Sequence, residues 1–89
     1  MRGDYEMISE AERERLIVGF KQTVKAVNAG LAEKVFLAGD CESRISDPIE
    51  NAASANGTQI FYVPTMKELG EMCGIEVGSS CAVILKAQA

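Results

Sequence analysis

Three unbroken apolar runs mark the chain: Val35-Phe36-Leu37-Ala38, Ile60-Phe61-Tyr62-Val63 and Ala82-Val83-Ile84-Leu85. Runs of strand-forming residues without polar alternation predict a sheet covered on both faces, with parallel pairing among its strands. A shorter run, Leu16-Ile17-Val18, predicts a brief further strand. From Gly19 the pattern changes period. Phe20, Val24, Val27 and Leu31 recur at i, i+4, i+7 and i+11, which predicts a helix with one buried stripe. Lys21, Lys25 and Asn28 take another face of that helix, with Gln22 beside Lys21 on its first turn. Gly30 reads as its C-terminal cap. Stretches of helical length separate the remaining strands. The order helix, strand, helix, strand, helix, strand predicts an α/β fold built as an α/β/α sandwich.

Capping chemistry places the other boundaries. Ser9 with Glu12 three residues on is a capping-box signature, opening a short charged helix through about Arg15. Its charges read as a solvated face, and residues 1–8, which have no pattern, are expected to fray. Pro48 is costly in a helix interior, whereas Asp47, Pro48 and Glu50 suit the N-cap, N1 and N3 positions. The reading is therefore a turn over Asp40–Ser46 and a helix from Pro48 to about Ala55, ended by Asn56-Gly57. Thr65 and Glu68 form a second capping-box pair, opening a helix that runs to about Cys73 and stops at Gly74. No repeat, linker or low-complexity segment interrupts residues 1–89, so one domain is expected.

Composition narrows the chemistry. The sequence has no His, which excludes a Ser-His-Asp triad and an imidazole metal site. Cys41, Cys73 and Cys81 are odd in number and widely spaced. They read as free thiols of a reducing compartment, not as a disulfide frame or a zinc site. No apolar run approaches the ~20 residues of a membrane span, and the N-terminus lacks a signal-peptide core; a soluble cytoplasmic protein is expected. Acids are scattered, with no sign of the converging pair a hydrolase would need, so no enzyme is expected. Asp40 and Glu42 do follow the first long strand, where α/β sheets often place ligands.

The net charge is −4, which argues against a general nucleic-acid coat. Its distribution says more. Residues 1–15 carry three positive and five negative charges, and residues 16–34 carry three positive and one negative. The basic zone coincides with Gly19–Ala26, GFKQTVKA. A helix N-terminus offers unpaired N–H groups and a partial positive charge. Gly19 lets a ligand approach the backbone, Lys21 and Lys25 add cations, and the Gln22 amide can read a base edge. The same residues equally describe a solvated polar helix face. Near the other end, Gly74–Val83 reads GIEVGSSCAV and lacks the ending of a nucleotide-triphosphate loop. Ile75 and Val77 lie in a loop between Gly74 and Gly78. Such residues usually anchor a loop to the core; alternatively they support an extruded base.

With these two stretches quoted, residues 17–86 resemble the ribosomal-protein family called L-seven-Ae/L-thirty-e, its small bacterial members in particular. Gly19, Lys21, Gln22 and Lys25 match the family motif of glycine, any residue, Asn or Lys, Glu or Gln, two residues, then lysine. Ile75-Glu76-Val77-Gly78 matches its later loop, and Lys67-Glu68-Leu69-Gly70 the run before it. Phe20 stands where Thr is frequent. AGDCES keeps Asp40 but lacks the usual Asp-Pro nearby. The resemblance implies a mixed four-stranded sheet between helical layers and non-catalytic binding of kink-turn RNA, a bent helix–bulge–helix with tandem sheared G·A pairs. It implies contacts from Gly19, Phe20, Lys21, Gln22, Lys25, Lys34 and Asp40, and from Ile75, Glu76, Val77 and Gly78 near the bulged nucleotides. The partner implied is structured RNA, ribosomal RNA included, bound by a monomer without cofactor, metal, DNA or membrane. The alternative is a protein-interaction module of the same fold, which suits the acidic balance.

Overall fold

The computed structural model describes residues 8–87. Its elements are α1 (Glu10–Arg13), β1 (Leu16–Val18), α2 (Phe20–Asn28), β2 (Ala32–Ala38), α3 (Ser43–Asn56), β3 (Gln59–Val63), α4 (Met66–Cys73) and β4 (Cys81–Leu85). The four strands form one sheet in the order β1-β4-β2-β3. Only β2 and β3 pair in parallel; β4 lies between β1 and β2 and runs antiparallel to both. The expected parallel bias therefore holds for one pair, and the sheet is mixed.

Alternation along β2 divides the core into two layers. Val35 and Leu37 pack with Ala26 and Val27 of α2 and Ile49, Ala52 and Ala53 of α3. Phe36 and Ala38 pack on the opposite face with Leu69 and Met72 of α4. There the rings of Phe36 and Phe61 lie 5.7 Å apart. β4 does the same: Cys81 and Val83 join the first layer, Ala82 and Ile84 the second. This is the α/β/α sandwich expected from the apolar runs.

Four local expectations are corrected. The buried stripe of α2 is Thr23, Ala26 and Val27; Phe20 and Val24 are half-buried. Small side chains let α2 approach the equally small Ala52 and Ala53 of α3. Leu31 lies beyond the helix and is 50% exposed. The Gly30 N–H donates to Val27 O and the Leu31 N–H to Ala26 O, with Gly30 at φ +74°, a Schellman turn that carries the chain out of the stripe.

Pro48 lies inside a continuous α3, whose N-cap is Glu42, not Asp47. Ile45, Ile49, Ala52 and Ala53 form one apolar face spanning Pro48. Burying that face outweighs the roughly 3 kcal/mol that an interior proline costs. Asp47 is then an exposed mid-helix residue. Asp47→Ala should change unfolding free energy by less than about 0.5 kcal/mol. Thr65→Ala removes a real cap, since Thr65 Oγ1 accepts the Glu68 N–H at 3.1 Å, and should cost about 0.5–2 kcal/mol. Denaturant titration of the two variants checks both.

Ile8 does not fray: it is buried against the Phe36 face. Residues 1–7 lie outside the described residues. The charges of α1 and the residues after it are not merely a solvated face either. Ser9 and Glu12 close the expected capping box. The Glu12 carboxylate meets Lys34 Nζ at 2.7 Å, and Arg15 reaches Glu33 at 2.8 Å and the Leu85 carbonyl at 2.7 Å. These contacts fasten α1 and β1 to the sheet. The Lys34 hydrogen bond, then the Ser9 N–H, hold the Glu12 carboxyl below its ordinary 4.5. A carboxyl with a lowered folded value stabilises above the ordinary value and loses that contribution as pH falls through the folded one. Lys34→Met should therefore cost under about 1 kcal/mol at neutral pH. The difference between variant and parent should shrink on acidification, as followed by urea midpoints between neutral pH and about pH 3.

Candidate nucleic-acid interface

β1, β2 and β3 run in the same direction, and each leads into a helix. The N-termini of α2, α3 and α4 therefore gather at one end of the sheet, where β4 begins. Three partial positive charges converge there in a chain whose net charge is −4. The backbone ties this end together. The Gly19 N–H donates to Cys81 O at 3.2 Å, the Ala38 N–H to Ser80 O at 2.9 Å and the Gly39 N–H to Val63 O at 2.7 Å.

The three helix ends differ in how they are closed. α4 is closed twice, by Thr65 and by Asp40, whose Oδ1 accepts the Met66 N–H at 2.8 Å. α3 has no side-chain cap, and Arg44 pairs with its N-cap residue Glu42. α2 is left open: its N-cap Gly19 offers no side chain. Gly19 has φ 126° and ψ 155°, a conformation open to glycine, so this residue is needed for the turn as well as for access. Lys21, Gln22 and Lys25 are exposed beside this open end. Neither lysine stands in an ion pair among the described residues. Phe20 packs its ring into the layer under α2.

The loop before β4 reaches the same end along α4. Its backbone lies directly on Gly70, where an added Cβ would stand 2.2 Å from Val77 O. Gly78 packs against Met66, and the Ser79 N–H donates to Met66 O at 3.0 Å. The two readings of its apolar residues divide. Ile75 is half-buried and anchors the loop, whereas Val77 is 71% exposed; Glu76 and Gly78 are exposed too. The open end of α2 and this loop are thus linked through the start of β4.

Lys34 does not join them. It sits on the Phe61 face of the sheet, 5.8 Å from that ring, in its ion pair with Glu12. It also lies four residues back along β2 from Ala38, about 13 Å at the rise of a strand. Asp40 is at the right end, but its carboxylate is engaged as the second cap of α4.

A cavity of about 340 Å³ opens at this end, lined by Asp40, Cys41, Glu42, Arg44, Ile45, Met66 and Ser80. Sequence reasoning reached only Asp40 and, as an acid after a strand, Glu42. Cys41, Arg44, Ile45, Met66 and Ser80 carry no signal of their own; the fold alone assembles them. Burial pushes the Cys41 and Cys81 thiols up, and that of Cys73 to about 11, so all three stay protonated at neutral pH.

The sequence profile of the ribosomal protein L7Ae/L30e/S12e/Gadd45 family matches residues 5–89. The chain belongs to this family. Similar members include an RNA-binding protein of Halalkalibacterium halodurans, 39% identical over 82 residues that span 92% of this chain and 98% of that one. An RNA-binding protein of Caldanaerobacter subterraneus subsp. tengcongensis is 46% identical over 66 residues, 74% of this chain and 80% of its own. The fold is also that of a solved protein of unknown function from Bacillus halodurans C. That structure superposes with a TM-score of 0.76 at 22% identity, covering 86% of this chain and 77% of the other. No helix of the described residues is long and apolar enough to cross a membrane.

Proposed function

We propose that this member of the L7Ae/L30e/S12e/Gadd45 family is a non-catalytic RNA-binding protein that recognises kink-turn RNA. One observation carries the reading: the uncapped N-terminus of α2, with exposed Gln22 and with Lys21 and Lys25 in no ion pair among the described residues, is hydrogen-bonded to the strand that the exposed Val77 loop feeds. The names of the similar bacterial proteins support RNA as the ligand. Phosphates would meet Lys21, Lys25 and the free first-turn N–H groups, including that of Phe20. Gln22 and the backbone at Gly19 would face the sheared guanines. A bulged nucleotide would lie against Ile75, Glu76, Val77 and Gly78, with Asp40 holding the floor of the adjacent cavity as the cap of α4. The unit acts as a cytoplasmic monomer, and the family description makes ribosomal RNA one candidate target.

The test is a binding titration against a kink-turn and against the same RNA with its G·A pairs replaced by Watson–Crick pairs. The kink-turn should bind more tightly. Its salt dependence should correspond to about two to four phosphate contacts, each contributing roughly 0.7–0.9 to the exponent. Equal affinity for both RNAs would remove the kink-turn from the reading, and a slope near zero would remove the phosphates.

A further inference from the structure

A second concavity, of about 220 Å³, runs along α2 on the side of β1 and the end of β4. Ile17, Ala26, Ala29, Leu31 and Leu85 line it with carbon, and Gln22 and Lys25 complete it. Leu31, which the Schellman turn carries out of the core, is half exposed on it. No carboxylate lines it. Glu33, which Arg15 draws toward the Leu85 carbonyl, is neutralised by that same guanidinium. Lys86 follows Leu85, and its N–H donates to Leu31 O at 2.8 Å, so an exposed second lysine flanks the far end. The groove is thus an apolar floor whose near rim, Gln22 and Lys25, belongs to the candidate interface, and Lys86 follows in the chain at its far end.

We infer that this groove holds an unpaired nucleotide flanking the kink-turn, its base against Leu31 and Leu85 and its phosphates toward Lys25 and Lys86. This rests on the RNA-binding reading above and extends it. A nucleotide matches each feature in turn. The base is a flat, largely apolar body of a size the groove accommodates. The backbone is anionic on both sides of the base, and Lys25 on the rim and the exposed Lys86 beyond Leu85 are the cations it would meet. The shared rim makes the groove continuous with the α2 end, so a strand leaving the kink-turn site need only follow the helix. Gln22 can hydrogen-bond the edge of a base lying there.

The test uses the full chain and three RNAs: a kink-turn with blunt paired stems, the same kink-turn carrying a short single-stranded extension, and the G·A-replaced control with that extension. The parent should bind the extended kink-turn several-fold more tightly than the blunt one, less than the roughly tenfold or more that one base gains by stacking on an aromatic ring. Leu31→Glu, at a half-exposed position outside the helix, and Lys86→Ala should each reduce that advantage, Leu31→Glu to near unity. Both should keep the parent preference for kink-turn over control. A photoreactive side chain at position 31 should crosslink to an extension nucleotide. If the extension gives no advantage, or Leu31→Glu keeps it in full, the inference is overturned. A parent that dimerises through this face, with Leu31→Glu monomeric in sedimentation, would assign the groove to a second copy and overturn it as well. Loss of the kink-turn preference in the parent would strike the kink-turn reading by itself. The groove then stands or falls on whether the extension still tightens binding to the control RNA and crosslinks to position 31.

Discussion

Lys21→Ala and Gln22→Ala together should strongly weaken recognition of the kink-turn while leaving the fold intact. Both side chains are exposed on the first turn of α2, away from Thr23, Ala26 and Val27. Alanine is the best helix former, and surface changes of this kind move stability by under about 0.5 kcal/mol. Binding should respond in two separable ways. Lys21→Ala removes a cation, so it should weaken all RNAs alike and flatten the salt dependence. Gln22→Ala removes the one amide at the open helix end, which should cost on the order of 1–3 kcal/mol of discrimination. That cost should appear with the intact kink-turn and nearly vanish with the G·A-replaced control. Thermal melts and titrations on both RNAs separate folding from recognition. A folded double variant with the parent preference would place the site elsewhere.

The second large effect is expected at Gly70. The three atoms nearest to a Cβ there belong to the backbone of Val77 and Gly78, and Val77 O would stand 2.2 Å away. Neither helix nor loop can yield by rotating a side chain. Gly70→Ala should therefore push the Val77 loop off α4 and strain the Ser79–Met66 hydrogen bond. Overpacking of this kind costs about 1–3 kcal/mol. RNA affinity should fall together with stability, because the displaced loop is the one proposed to meet the bulged nucleotide. Val77→Asp makes the informative comparison. Its side chain is already exposed, so it should weaken binding with little change in melting temperature. A Gly70→Ala protein that melts and binds like the parent would mean that the loop is not held by this contact.

Much of the architecture was legible because its signals are local. Ser9 with Glu12, Gly57 and Gly74 mark helix ends by chemistry that acts within one turn, and the structure uses each as expected. Pro48 misled because its local cost is real while the compensation, the face from Ile45 to Ala53, is tertiary. Leu31 misled because periodicity cannot see that Gly30 has already ended the helix. The placement of Lys34 turned on which sheet face a strand residue occupies and on a distant partner, Glu12; neither is written near position 34. The α2 motif was readable as a set of residue types. That it is joined to the Val77 loop through Cys81 depends on β4 being central, which no local pattern encodes.

That central position has a kinetic consequence. β4 is the last strand of the sheet to be synthesised, yet it alone joins β1 to β2. Leu16 must pair with Ile84 across nearly the whole length of the sequence. Contacts so distant along the chain slow folding, since the entropy of closing the intervening loop is lost before the pairing is gained. Until Cys81–Leu85 has emerged from the ribosome, a nascent chain can pair β2 with β3 but cannot attach β1, and Gly19 has no Cys81 carbonyl to hold it. Binding competence should thus appear abruptly during translation, with the arrival of five residues of which none but Leu85 meets RNA in the proposed complex.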